Sequence, residues 1–210
     1  MTLIVDVISD VICPWCFIGK RRLEKAIATH GEPVTVRWQP FQLNPTMPRE
    51  GISRREYRIR KFGSWERSMQ LDANLVAAGK EEGILFDFDR MERTPNTVDA
   101  HRLIWLADKE GIQDAVMEAL FRAYFSEARD ISNLKKLIDV VAEAGLDRQK
   151  AEALLDSDAG IEAIKDFGEQ SRLLCVDSVP FFVINNETTL SGAQSPEALL
   201  EAFRLAISGT

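Results

Sequence analysis

The sequence predicts an α/β fold in which a βαβ unit at the start of the chain and a ββα unit at its end are separated by a long helical segment. Three observations predict this order. Short segments rich in β-branched and aromatic residues occur near both ends, at residues 3–9, 34–38 and 180–191. Apolar residues at helical spacing run through most of the chain between them. A Cys-x-x-Cys motif, residues 13–16, follows the first segment directly and opens a helix.

The composition is that of a globular protein. The chain has 210 residues, of which 45% are hydrophobic and 28% charged, and this length suits one domain or a domain with an insertion. Its 26 basic and 33 acidic residues leave a formal net charge of −7. That charge disfavours nucleic acid and anionic membranes as partners, because like charges repel.

The sequence also predicts a cytoplasmic protein without a membrane segment. The longest stretch without a charged residue, 38–48, has eleven residues, which is too short for a membrane span of about 20. No basic segment precedes the first apolar run, as it would in a secretory signal. Three cysteines are too few, and odd in number, for a disulfide-stapled secreted protein.

The first unit is a strand, a helix and a strand. Residues 3–9 carry β-branched side chains and a single charge, which is typical of a largely buried strand. A helix is expected from Pro14 to Thr29, because proline favours the first helical position and an apolar stripe follows it. Gly31 and Pro33 end this helix, and residues 34–38 form the second strand.

The middle of the chain is predicted to be helical. Apolar spacing indicates six helices, which start near residues 64, 97, 112, 132, 147 and 158, with no strand pattern between them. Strands return as a hairpin over residues 180–191, and Ser195 with Pro196 starts the last helix. We therefore predict an α/β domain of residues 1–42 and 168–210, interrupted by an all-helical insertion of residues 43–167.

The Cys-x-x-Cys motif is the strongest indication of chemistry. The thiolate is the reactive form of cysteine, and the first turn of a helix stabilises an anion through unpaired N–H groups and the helix dipole. We therefore expect Cys13, at the exposed start of the helix, to be the nucleophile. Cys16 lies nearly one turn deeper on the same side, where it can attack a mixed disulfide formed at Cys13.

The motif allows two other interpretations. The two cysteines could be an ordinary buried pair, although the helix start argues for an exposed Cys13. They could instead bind zinc, but only Cys175, His30 and His101 remain to complete four ligands, without a second spaced pair.

A second motif supports thiol chemistry. Pro180 follows Val179 at the start of a predicted strand, where a residue without an N–H is tolerated and a cis peptide bond suits a sharp turn. Alone this is a weak signal. Together with strand, Cys-x-x-Cys and helix it is much stronger.

These motifs resemble the DsbA-like branch of the thioredoxin superfamily that carries a helical insertion, the FrnE-like dithiol-disulfide oxidoreductases. The resemblance spans nearly the whole chain and rests on residues 9–10, 13–22, 96–103, 179–185 and 191–194. It implies a thioredoxin fold, with Cys13 as nucleophile, Cys16 as resolving thiol and a cis Pro180 facing them. Val179 would offer backbone hydrogen bonds to an extended substrate.

The resemblance implies further residues at the substrate cleft, namely Pro14, Trp15, Asn96 and His101. A structural role for His101 stays open beside this one. Asp10 is either a proton relay to Cys16 or a capping carboxylate. Cys175 stands where such proteins usually carry glycine, and is either a third redox thiol or a buried filler.

The predicted function is thiol-disulfide exchange, as an oxidoreductase or isomerase, on protein or small-molecule thiols and disulfides, without a metal or organic cofactor. Glutathione is a candidate co-substrate, which five basic residues within 54–61 could attract.

The alternative is a glutathione-dependent isomerase or transferase acting on a small aromatic compound. The related hydroxychromene-carboxylate isomerases and kappa-class glutathione transferases do this, generally with serine in the place of Cys13. A non-catalytic binding module is the third hypothesis. The sequence is compatible with exchange in either direction and with a homodimer.

Overall fold

A four-stranded sheet joins the two ends of the chain. The computed structural model describes residues 2–173 and 176–208, so Cys175 lies outside the described residues. The strands are arranged in the order β2-β1-β5-β6, with β2 parallel to β1, and with β5 antiparallel to both β1 and β6. Their bounds are Leu3–Ser9 for β1, Val34–Pro40 for β2, Phe181–Ile184 for β5 and Thr188–Ser191 for β6. The predicted βαβ and ββα units therefore share one sheet.

The central position of β1 explains its sequence. It is bonded to β2 on one side and β5 on the other, and Val7 and Ile8, which lie on opposite faces of the strand, are both buried. A strand covered in this way has no polar face, so it appears in the sequence as a nearly continuous apolar run.

The first helix, α1, spans Pro14–His30. Gly31 ends it in the left-handed conformation, with φ of 76°, and its N–H donates to the Ile27 carbonyl. This is the conformation that glycine adopts without steric cost. The last helix, α9, spans Pro196–Ser208 and packs against α1, where Phe203 meets His30 edge to face.

The insertion is mainly helical but not entirely so. Its helices are α2 (Arg54–Phe62), α3 (Trp65–Glu81), α4 (Val98–Lys109), α5 (Gln113–Phe121), α6 (Leu134–Glu143), α7 (Arg148–Leu155) and α8 (Ile161–Leu173), and a π-helical turn over Arg122–Ser126 extends α5. The prediction omitted α2. The prediction of an all-helical insertion is wrong as well, because β3 (Ile52–Ser53) pairs with β4 (Arg93–Thr94). Two-residue strands are too short to show an alternating pattern.

The insertion packs directly against the α/β domain. Phe17 of α1 stacks on Phe121 of α5, with ring centroids 5.1 Å apart. The amide of Gln113 bonds both backbone groups of Trp38 at the edge of β2, accepting from its N–H at 2.8 Å and donating to its carbonyl at 3.0 Å. Helix α8 is continuous across the predicted boundary at residues 167 and 168. None of the helices in the described part of the chain combines the length and apolar character needed to cross a membrane.

Candidate functional site: the dithiol at the start of helix α1

The two cysteines of the motif stand where β1 passes into α1. Cys13 is the N-cap residue, in an extended conformation, and Pro14 occupies the first turn. The Cys13 N–H donates to the Asp10 carbonyl at 3.0 Å, and its carbonyl accepts from the N–H of Cys16 at 3.0 Å. Both thiols are free. The backbone therefore holds the cysteines one helical turn apart, as predicted.

The expectation that Cys13 is exposed is wrong. Only 5% of it is accessible to solvent, because the segment before β5 covers the start of the helix. The Cys13 thiol donates a hydrogen bond to the Val179 carbonyl, with sulfur and oxygen 3.4 Å apart. The exposed part of the motif is Trp15, which is 43% accessible.

The segment that covers Cys13 contains the predicted proline. The Val179–Pro180 peptide bond is cis, and both residues are buried. On the facing side of α1, Gly19 approaches the proline ring so closely that an added Cβ would lie 2.9 Å from Pro180 Cγ. Sequence reasoning passed over Gly19, although a glycine inside a helix is itself a signal of close backbone approach.

Cys16 is completely buried. Burial raises the pKa of its thiol well above the ordinary value, and the neighbouring Cys13 raises it further through a hydrogen bond and its charge. The Ser9 hydroxyl and the Asp10 backbone act in the opposite direction and lower the Cys16 pKa. The protonated form of Cys16 is therefore favoured in the folded protein.

The structure gives Asp10 a structural role. One carboxylate oxygen accepts from the Leu43 N–H at 2.8 Å. The other accepts from the Ile12 N–H at 3.5 Å and lies 3.4 Å from His101 Nε2. The carboxylate therefore fastens the segment before Cys13 to the chain that follows β2. Of the two roles predicted for Asp10, these contacts support the capping one.

His101 and Asn96, the predicted substrate residues of the insertion, differ in position. His101 is 2% exposed, and besides the contact with Asp10 its Nε2 donates to the Phe41 carbonyl at 3.0 Å. It therefore reaches the loop that carries the dithiol. Asn96 instead binds the Met47 carbonyl with its amide nitrogen and the Val98 N–H with its amide oxygen. Both of its polar atoms are used in holding the start of α4.

Acidic residues of the insertion neutralise part of the basic cluster over residues 54–61. Arg54 is 4% exposed and donates to Asp72 at 2.7 Å, and Arg58 binds the other oxygen of the same carboxylate. Arg60 pairs with Glu56. The two carboxylates therefore offset two of the five positive charges of the cluster.

A cavity of about 270 Å³ lies between β2 and the helices α4, α5 and α8. Polar and apolar side chains line it. The polar ones are Ser9, Arg37, Gln39, His101, Asp108 and Gln113. Sequence analysis did not identify this cavity, because its walls come from segments that are distant in the chain.

Known proteins with similar sequences and structures cover nearly all of the chain. The probable DsbA oxidoreductase SCO1869 from Streptomyces coelicolor is 29% identical in sequence to this chain, and its crystal structure superimposes with a TM-score of 0.92. The match covers 99% of this chain and 91% of that chain. The uncharacterized protein YwbO of Bacillus subtilis (strain 168) is 27% identical over 207 residues, which are 97% of this chain and 96% of that protein.

A more distant structure, that of 2-hydroxychromene-2-carboxylate isomerase, has a TM-score of 0.72 at 21% identity and covers 98% of this chain and 97% of that chain. It shows a shared fold. The model of the DSBA-like thioredoxin domain matches residues 4–204, and this match confirms the predicted thioredoxin fold. The chain belongs to the family of DSBA-like thioredoxin domains.

Proposed function

We propose that the protein exchanges thiols and disulfides through Cys13 and Cys16. The observation that supports this most is the pair of free thiols one turn apart at the start of α1, with Cys13 bonded to the Val179 carbonyl beside Pro180. Membership in the DSBA-like family adds support. The substrates are protein or small-molecule disulfides and thiols, with glutathione as one candidate.

The proposed reaction has two steps. The Cys13 thiolate attacks a substrate disulfide, a bond forms between Cys13 and one substrate sulfur, and the other sulfur leaves as a thiolate. Cys16 then loses its proton and attacks the Cys13 sulfur. The Cys13–Cys16 bond forms, the mixed disulfide breaks, and the second substrate sulfur leaves with the electron pair. The substrate is reduced and the protein is oxidised, and the reverse sequence oxidises a substrate dithiol.

The contact between Cys13 and Val179 gives Val179 a role in the attack of Cys13 on the substrate. In the reduced protein the Cys13 thiol donates its hydrogen to the Val179 carbonyl. Once Cys13 is ionised or joined to substrate, it has no hydrogen to donate. The carbonyl can then accept from a backbone N–H of an extended substrate, as in strand addition. Trp15 offers an exposed indole next to the same position.

The test is the trapping of partners by a resolving-cysteine variant. All variants carry Cys175→Ser, so that only the dithiol reacts. We expect Cys16→Ser to accumulate disulfide-linked adducts on a non-reducing gel, because the first step still occurs and the second cannot. Cys13→Ser, the matched control, should form no adducts and should lose insulin disulfide reduction.

Two results would overturn the proposal. The first is that Cys16→Ser forms no adducts and that the protein with both cysteines does not reduce insulin. This result would favour the hypothesis of a non-catalytic binding module. The second is glutathione-dependent isomerase turnover that survives Cys13→Ser, which would favour the alternative enzyme class.

A further inference from the structure

A groove of about 380 Å³ lies between α8 and the chain that follows β2. The buried side chains of Ile164 and Val176 form its floor, and Phe41 forms part of the wall opposite α8. The exposed residues Lys165 and Glu169 lie at its mouth. Their opposite charges balance and the buried surface is apolar, so the groove favours an uncharged, apolar ligand.

Both walls of the groove are joined to the segment that carries the dithiol. On one side, Val176 lies three residues before Val179, whose carbonyl accepts from the Cys13 thiol. Three residues of chain span at most about 11 Å. On the other side, the Phe41 N–H donates at 2.9 Å to the carbonyl of Ser9, the last residue of β1. A chain bound at Val179 can therefore extend into the groove.

Gly168 leaves space in the wall that α8 contributes. Glycine weakens a helix relative to alanine, so a glycine inside a helix calls for a reason. The other glycines in the described helices, Gly19 and Gly79, have one, because an added Cβ would lie under 3.0 Å from a neighbouring ring. At Gly168 such a Cβ would meet no atom within 4 Å. The space over Gly168, which lines the groove, is therefore open to a group from outside the chain.

We infer that this groove binds an apolar side chain, such as that of phenylalanine or leucine, of an extended polypeptide whose disulfide Cys13 attacks. The inference rests on the proposed function and deepens it, because it assigns one part of the substrate to one place on the protein. The volume suffices, since a cavity of about 150 Å³ holds benzene. An extended chain advances about 3.3 Å per residue, so the bound side chain belongs to a residue roughly two to four positions from the substrate cysteine.

The test compares peptides that differ in one side chain. Each peptide of serine and alanine contains one cysteine, which is joined to thionitrobenzoate, and carries either phenylalanine or alanine at one chosen distance on either side of it. The Cys13 thiolate attacks the peptide sulfur, a disulfide forms between them, and the coloured thionitrobenzoate leaves with the electron pair. The protein is Cys16→Ser in the Cys175→Ser background, so that the reaction stops at this step.

The measurement is the second-order rate constant in a stopped-flow instrument, with the peptide below saturation. We expect phenylalanine to raise it at least about tenfold over alanine at a position roughly two to four residues from the cysteine, on one side only, because an apolar side chain leaves water there. At the other positions the ratio of the two rate constants should be near one.

Two variants of α8 locate the effect. Gly168→Leu fills the groove and should lower the ratio at the preferred position to about one. Leucine favours a helix and its Cβ meets no atom there, so the variant is expected to fold. Gln170→Leu is the matched control, because it adds the same side chain to the same helix. Gln170 is exposed and lies about 200° around the helix from Gly168, so this variant should keep the ratio of the parent.

The outcomes distinguish this inference from the proposed function. Ratios near one at every position, or a preference that Gly168→Leu and Gln170→Leu change equally, overturn the inference, while the release of thionitrobenzoate still supports attack by Cys13. The peptide series measured with the parent decides the question even if Gly168→Leu does not fold. No release from any peptide or from Ellman's reagent overturns the proposed function itself.

Discussion

At the level of single residues, the two thiols of the motif have different surroundings. Cys13 contacts the Val179 carbonyl and retains a small exposed surface, whereas Cys16 is completely buried. Burial and the neighbouring sulfur keep Cys16 protonated. This asymmetry is consistent with the proposed mechanism, in which Cys13 attacks first and Cys16 second.

The raised pKa of Cys16 predicts a pH dependence of stability. The folded protein holds the Cys16 proton more tightly than the unfolded chain does. Its contribution to stability is therefore fully present below the ordinary thiol value of 9.0 and is lost as the pH rises above it. We expect the free energy of unfolding of the reduced protein, measured with urea, to fall more steeply above this value than that of Cys16→Ala. Identical slopes for the two proteins would contradict the prediction.

Gly19 is predicted to keep Pro180 in place. In Gly19→Ala the added methyl group would lie 2.9 Å from Pro180 Cγ, and the rigid ring can yield only by moving the segment that covers Cys13. We expect a loss of about 1–3 kcal/mol in stability, the usual cost of overpacking, and slower insulin reduction at temperatures where the variant remains folded.

Gly168→Ala is the matched control for this substitution. Gly168 also lies within a helix, but its added Cβ would meet nothing within 4 Å. This variant should be as stable as the parent or gain up to about 1 kcal/mol, because alanine is the better helix former. Equal losses in both variants would show that proximity to Pro180 is not the cause.

At the level of elements, α1 is fastened to the insertion by an ion cluster as well as by aromatic packing. The Lys20 ammonium group, 3% exposed, contacts Glu24 of its own helix and Asp114 and Glu118 of α5. Burial lowers the pKa of Lys20, but the Glu24 hydrogen bond and the three carboxylate charges more than compensate, and the net shift is upward. The helix that carries the dithiol is therefore tied by charge to the helix that flanks β2.

Removal of this charge should weaken the contact between α1 and α5. In Lys20→Met the carboxylates lose their shared cation while the apolar stem is kept. We expect the protein to lose about 1–3 kcal/mol of stability in urea unfolding, less than for fully enclosed ion pairs because the carboxylates remain partly hydrated. Lys150→Met, the control, breaks an exposed pair with Glu110 and should change stability little. A larger effect from the control would refute this account.

At the level of the whole molecule, the α/β domain and the insertion share one core. A single cluster of buried apolar residues includes side chains from β1, α1 and α9 together with side chains from α4, α5 and α6. The edge of β2 is bonded by Gln113 of the insertion. The two predicted domains are thus separate in sequence order but continuous in their packing.

A continuous core predicts cooperative unfolding of the entire chain. Two variants with a single tryptophan report on the two parts, Trp38 on β2 and Trp105 on α4. We expect their fluorescence transitions in urea to coincide with each other and with the loss of helical circular dichroism, as in two-state unfolding. Separate midpoints for Trp38 and Trp105 would show that the insertion unfolds independently.

Local sequence patterns predicted most of the elements near the site. Residues 3–9 form β1 as expected, and α1 ends at His30, one residue beyond its predicted end. These predictions succeeded because proline at a helix start, glycine at its end and apolar periodicity act within a few residues. The pair of β3 and β4 was missed because neither strand is long enough to show a pattern, and the pairing joins residues about forty positions apart.

The sequence by itself determined the βαβ and ββα units, the family and the place of the dithiol at the start of α1, because each depends on neighbours along the chain. Only the tertiary structure decided how that dithiol is enclosed. Val179 covers Cys13 from 166 positions away, and His101 reaches Asp10 from another helix. Burial and hydrogen bonding at each of these groups depend on how distant segments pack, which no local pattern specifies.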